Sequence, residues 1–146
     1  MHRRVVLAAL SMLASVGAVA QEAEYKVIVN AANPVAQMKR EQVSPLFMTR
    51  STKWAHGPAG VAFDQSMTSK VRQAFSVEVL GQPAEGVQNH WRRKMLEGRE
   101  FPPAVKANDA EVIAAVAKEA GGIGYVAAVA ELPASVKALK VVDPIR

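Results

Sequence analysis

One segment of the chain concentrates groups able to hold a charged ligand. Phe63-Asp64-Gln65-Ser66-Met67-Thr68-Ser69-Lys70-Val71-Arg72 reads as a strand end, a hydroxyl-rich loop and a helix start. The first backbone N–H groups of a helix have no intrahelical acceptor and point outward, so they form a ready anion site; Ser66, Thr68 and Ser69 hydroxyls add donors. Lys70 and Arg72 fall in the first turn, where a cation opposes the helix dipole by ~0.3–1 kcal/mol each. A bound anion reverses that penalty. Asp64 then accepts a hydrogen bond from a protonated ligand oxygen or holds the loop in shape. The candidate ligand-binding residues are Asp64, Gln65, Ser66, Thr68, Ser69, Lys70 and Arg72. A second reading stands beside this one: Ser66 or Thr68 simply caps the helix, and water screens the two cations.

Other chemistries find little support. The chain has no Cys, and beyond its first residues only His56 and His90 could serve as imidazoles. Neither lies at a spacing that suggests a metal site, and no Gly-x-Ser-x-Gly nucleophile elbow occurs. No nucleophile–base pair can be assembled, so the expectation is a non-enzymatic protein without cofactor or metal. Gly121-Gly122-Ile123-Gly124 is glycine-rich, but it follows a helix and enters a strand. A phosphate-cradling loop has the opposite order, so a helix C-cap and tight turn is expected there. His56 reads as a solvated loop residue or a ligand. His90 and Trp91 precede Arg92-Arg93-Lys94, which reads as a solvated helix face or an anionic docking patch.

These residues need elements to position them. Glu24–Ala31 is a β-branched strand that ends in a turn at Asn33-Pro34. Lys39–Phe47 is a short amphipathic helix with Val43, Leu46 and Phe47 on one face and Pro45 disturbing its later turn. Thr49–Gly60 is a loop, and Gly60–Asp64 a second strand. A helix from about Ser69 to Leu80, closed by Gly81, carries a stripe of Val71, Ala74, Phe75 and Val79. Another, at about Glu85–Leu96, aligns Val87, Trp91 and Met95. Asn108 with Glu111 three residues on has capping-box spacing, and its helix runs to Gly121-Gly122. Ile123–Ala127 and Val136–Val142 are strands. Strands alternate with helices without repeats or linkers, which argues for one α/β layer structure.

Compartment follows from the N-terminus. Met-His-Arg-Arg, an apolar run from Val5 to about Leu13, and small residues ending in Ala18-Val19-Ala20 have the order of a secretory signal. The expected domains are a cleavable signal peptide at 1–20 and one soluble domain at 21–146, exported to the periplasm without a membrane anchor. The apolar run is short of the ~20 residues that span a bilayer. The chain carries 18 Lys and Arg against 13 Asp and Glu, net +5, and loss of Arg3 and Arg4 leaves +3. With only four Phe, two Trp and two Tyr and no interleaving of basic and aromatic residues, nucleic acid is not an expected partner.

Taken in order, several features resemble the phosphate ABC-transporter substrate-binding proteins. They are Val27-Ile28-Val29 with Asn30 and Asn33-Pro34, Leu46-Phe47 followed by Thr52-Lys53-Trp54, and Asp64-Gln65 with Ser66 and Ser69 before the helix holding Phe75. Trp91, Gly98-Arg99, Pro102-Pro103 and Gly122-Ile123-Gly124-Tyr125-Val126 complete the set. The resemblance implies an α/β fold: a single lobe of a type-II periplasmic-binding-protein-like fold, a small mixed sheet covered by helices. It implies a periplasmic solute-binding-type protein that takes phosphate or another small oxyanion. Its implied protein partner is an ABC-transporter membrane component or another periplasmic protein. Where the family grips phosphate with an Arg and a Ser-Gly-Thr run, Gln65 stands for the Arg and Ser69-Lys70-Val71 for the run. The alternative is an interaction or accessory domain that retains the fold without the ligand.

Overall fold

The computed structural model describes residues 24–49, 52–98 and 100–143. The expected signal peptide and its cleavage site lie outside the described residues, as does Arg99. Six strands form one sheet in the order β2-β6-β1-β5-β3-β4: β1 Tyr25–Asn30, β2 Gln37–Lys39, β3 Val61–Gln65, β4 Ala104–Lys106, β5 Gly122–Ala127 and β6 Val136–Val142. Strand β1 is antiparallel to both β5 and β6, whereas β3 is parallel to β4 and β5, so the sheet is mixed.

Strand periodicity sorts the core into two layers. Val27 and Val29 of β1 and Ile123 and Tyr125 of β5 face one side. There they meet Val43, Leu46 and Phe47 of α1 (Arg40–Met48) and Phe75 of α2 (Lys70–Phe75). Ile28 and Val126 face the other side, where Val112 and Val116 of α4 (Asp109–Lys118) cover them. Each fully buried Val, Ile or Phe contributes about 1.5–3 kcal/mol of transfer free energy. Phe75 stacks on Tyr125 with centroids 4.0 Å apart, and Phe47 meets Phe75 edge-on at 4.7 Å. Helix α1 runs through Pro45 to Met48, and the Pro45 carbonyl accepts from Thr49 N at 3.0 Å, so the proline does not end the helix.

Several expectations are corrected. The three-residue strands β2 and β4 carry no sequence period. The helix after Ser69 is α-helical only to Phe75 and widens into a π-turn over Ser76–Leu80, which Gly81 closes at φ 74°. In α3 (Ala84–Leu96), Val87 and Trp91 are buried but Met95 is 45% exposed. His90 is half-buried, with Nε2 2.9 Å from the Met48 carbonyl, rather than solvated. Helix α4 ends at Lys118 and the expected tight turn follows, with Gly122 N donating to the Glu119 carbonyl at 3.0 Å; Gly121, Gly122 and Gly124 have no left-handed φ, and Gly121 and Gly124 serve close approach. A Cβ at Gly121 would lie 1.9 Å from the Ala59 carbonyl oxygen, and one at Gly124 2.6 Å from Val112 Cγ1. Among the described residues no helix is long and apolar enough to cross a membrane.

Candidate functional site

Parallel pairing of β3 with β5 and β4 brings the C-terminal end of β3 beside the starts of two helices. Ser69 caps α2, accepting from Arg72 N at 3.4 Å. Asn108 caps α4, accepting from Glu111 N at 3.0 Å, while the Glu111 carboxylate reaches back to Ala107 N at 2.8 Å. The capping box is thus present, shifted by one residue on its return arm. Between the two helix starts lies an open depression of about 430 Å³ lined by Gln65, Thr68, Ser69, Val71, Asn108 and Asp109, among others.

Beneath the depression is a buried polar network. Asp64 receives the Tyr125 hydroxyl and the Gln65 backbone N–H on Oδ1, the latter at 2.9 Å. Its Oδ2 lies 3.2 Å from Arg72 Nη2, and both side chains are at most 10% exposed. Arg72 Nη1 donates to the Gln65 carbonyl at 2.7 Å. From its first-turn position Arg72 is expected to face solvent or ligand; instead its guanidinium turns inward, because Asp64 would otherwise be a buried charge without a counterion. Tyr125 is held neutral: burial, then the adjacent Asp64 charge and their hydrogen bond, push its hydroxyl pKa far above the usual tyrosine value.

Gln65 is 2% exposed and every polar atom of it is used. Nε2 donates to Asp109 Oδ1 at 2.8 Å and to the Tyr125 carbonyl at 2.9 Å, and Oε1 accepts from Ser69 Oγ at 2.9 Å. Asp109 Oδ2 also accepts from Ala127 N at 3.2 Å. Ser66 and Thr68 share a hydroxyl–hydroxyl contact of 3.0 Å at the rim, and Lys70 is exposed beside them. Of the seven expected site residues, Gln65, Thr68 and Ser69 line the depression, Ser66 meets it only through its contact with Thr68, and Lys70 is exposed in the first turn of α2. Asp64 and Arg72 form the support of the depression, and Gln65 joins the two. Asp109 and Asn108 complete the depression. The sequence marks Asn108 only as a cap, and nothing in local spacing brings α4 to this loop.

Comparison with solved structures gives the architecture a precedent. The chain superposes on a phosphate ABC transporter substrate-binding protein with bound phosphate from Clostridium perfringens with a TM-score of 0.63 at 21% identity, over 81% of this chain and 44% of that one. An ABC-type phosphate transport receptor from Vibrio cholerae gives 0.61 at 18% identity, over 81% and 46%. PstS from Borrelia burgdorferi gives 0.61 at 13% identity, over 81% and 47%. The fold is that of one lobe of these receptors. The chain spans less than half the length of the receptors it matches. No protein-family model matches the sequence, and no curated protein does. Within the lobe fold, the depression lies at the end of β3 where helices α2 and α4 begin.

Proposed function

We propose that this chain is a non-enzymatic solute-binding module that takes phosphate or a related small oxyanion in the depression between the starts of α2 and α4. The observation that carries the reading is the convergence of two capped helix starts and the Thr68 hydroxyl on one open site. It is supported by a lobe fold shared with structures named as phosphate receptors. Backbone N–H groups near Ser69 and Asn108 supply the dipolar donors, Thr68 adds a hydroxyl and Lys70 adds charge. Asp64 and Arg72 serve as the scaffold, since each already satisfies the other. Signal-directed export would place the module in the periplasm, where an ABC-transporter membrane component or another periplasmic protein is the natural partner.

The site is open, so a bound anion stays partly hydrated. Affinity is expected on the order of micromolar to millimolar, weakening with salt. Calorimetric titration of the purified protein with phosphate, sulfate and a phosphonate tests this. Saturable heats for at least one oxyanion support it; flat titrations for all three contradict it.

One observation favours a second reading, an interaction domain that keeps the fold without the ligand. The strongest donors near the depression, Arg72 and Gln65, are already committed to protein acceptors. On that reading the contact surface is the α3 face bearing exposed Arg92 and Arg93, with Lys94 and with Leu96 at 83% exposure.

A further inference from the structure

We infer that Gln65 is the positioning residue of the depression, a neutral latch that sets the separation of the two helix starts framing it. This rests on the proposed oxyanion site for its functional consequence, but the latch itself is a property of the fold. The side-chain amide of Gln65 bridges the two helices directly: Oε1 takes the hydroxyl of Ser69, the α2 cap, and Nε2 grips Asp109, the first residue of α4. A second Nε2 contact, to the Tyr125 carbonyl, ties the amide to β5. The backbone of the same residue is fixed from below by Asp64, Tyr125 and Arg72. The amide is therefore anchored at all of its polar atoms, and neither helix start can move without breaking one of its bonds.

As bonded here, the position donates on one side, to Asp109 and the Tyr125 carbonyl, and accepts on the other, from Ser69 Oγ. An amide does both. A cation there cannot accept from Ser69 Oγ, and a carboxylate cannot donate to Asp109. The charged and titratable groups around position 65 include Asp64 of β3, Arg72 of α2, Asp109 of α4 and Tyr125 of β5, with Lys106 its register partner on β4. Replacement by Glu sets a second carboxylate against Asp109 and pries the helix starts apart. Asn at 109 then restores a donor–acceptor pair with the polarity reversed, while the Tyr125 carbonyl still lacks its donor.

The test is a double-mutant cycle on the purified protein: wild type, Q65E, D109N and Q65E/D109N, each followed by amide NMR and by titration with inorganic phosphate. In Q65E, amide signals at both helix starts, near 69–72 and 109–112, move, and phosphate binding weakens about tenfold, as expected for directly contacting residues. In the double variant, the signals return part of the way toward wild type and part of the affinity is regained, because the contact to the Tyr125 carbonyl stays lost. Strictly additive losses overturn the proposal, as does movement confined to one helix. If Q65E does not fold, D109N alone decides: it must shift amides of the α2 start across the Gln65 bridge, and silence there overturns the latch. If wild type binds no phosphate, the oxyanion reading fails while the amide shifts still judge the latch.

Discussion

The Arg72 guanidinium lies 3.2 Å from the Asp64 carboxylate, and the pair sits under the loop that joins β3 to α2. Breaking a buried pair from one side leaves an uncompensated charge and costs about 3–5 kcal/mol. Arg72→Met is therefore expected to lower the denaturant midpoint steeply. Arg72→Met combined with Asp64→Leu should recover part of that loss, because no charge of the pair then remains buried although the Tyr125 hydroxyl loses its acceptor. Equal midpoints for the single and double variants would contradict the buried-pair account.

The Tyr125 hydroxyl makes stability fall in alkali. Its folded pKa is raised by burial and by Asp64, so the unfolded chain loses this proton first. Stability is complete below the ordinary tyrosine pKa of about 10 and declines above it, by about 1.4 kcal/mol per pH unit for one such group. Tyr125→Phe should flatten that decline, at the cost of about 1–2 kcal/mol from the lost hydrogen bond near neutral pH. Urea melts at several pH values above 9 would show it. An unchanged slope in the variant would assign the effect elsewhere, with Tyr25, whose pKa is also raised by burial and Glu78, the first alternative.

Gly124 and Gly121 predict opposite responses to rescue. Alanine at 124 would press on Val112 Cγ1, a side-chain atom, so Gly124→Ala should destabilise by about 1–3 kcal/mol and Val112→Ala should relieve part of it. Alanine at 121 would meet the Ala59 carbonyl, which is backbone and cannot be trimmed. Thermal melts of the singles and the 112/124 double check this; a Gly124→Ala variant as stable as wild type would contradict the close helix–strand packing.

Much of this architecture is legible in the sequence where period and capping carry it. The alternation Val27-Ile28-Val29 sends neighbours to opposite faces, and Asn108 with Glu111 announces α4. Strands β2 and β4 are three residues long, too short to display a period, and exist because longer neighbours offer an edge. The π-turn at Ser76–Leu80 has no sequence signature, since its residues suit an α-helix equally well. In the site, the hydroxyl loop is visible but the direction of Arg72 is not. Its partner Asp64 lies across the loop, and only the folded β3–α2 connection brings them together. The role of Gln65 likewise depends on Asp109, forty-four residues on.

At the rim, Thr68 and Lys70 are exposed and only lightly engaged. Thr68→Ala with Lys70→Ala should weaken oxyanion binding several-fold while stability stays within about 0.5 kcal/mol, as for ordinary surface changes. Ser69→Ala is a different experiment, because Ser69 caps α2 and holds Gln65; it should cost about 1 kcal/mol as well. A rim double variant that binds as wild type, by calorimetry, would remove these two residues from the site.

The most direct test of the central claim is an amide-resolved NMR titration of the protein with inorganic phosphate at low salt. The oxyanion account predicts saturable shifts, with a midpoint no weaker than the order of millimolar, confined to residues near 66–71 and 107–111 and diminished by added chloride. No movement at those amides at saturating phosphate, or shifts centred instead on Arg92, Arg93 and Lys94, would contradict it.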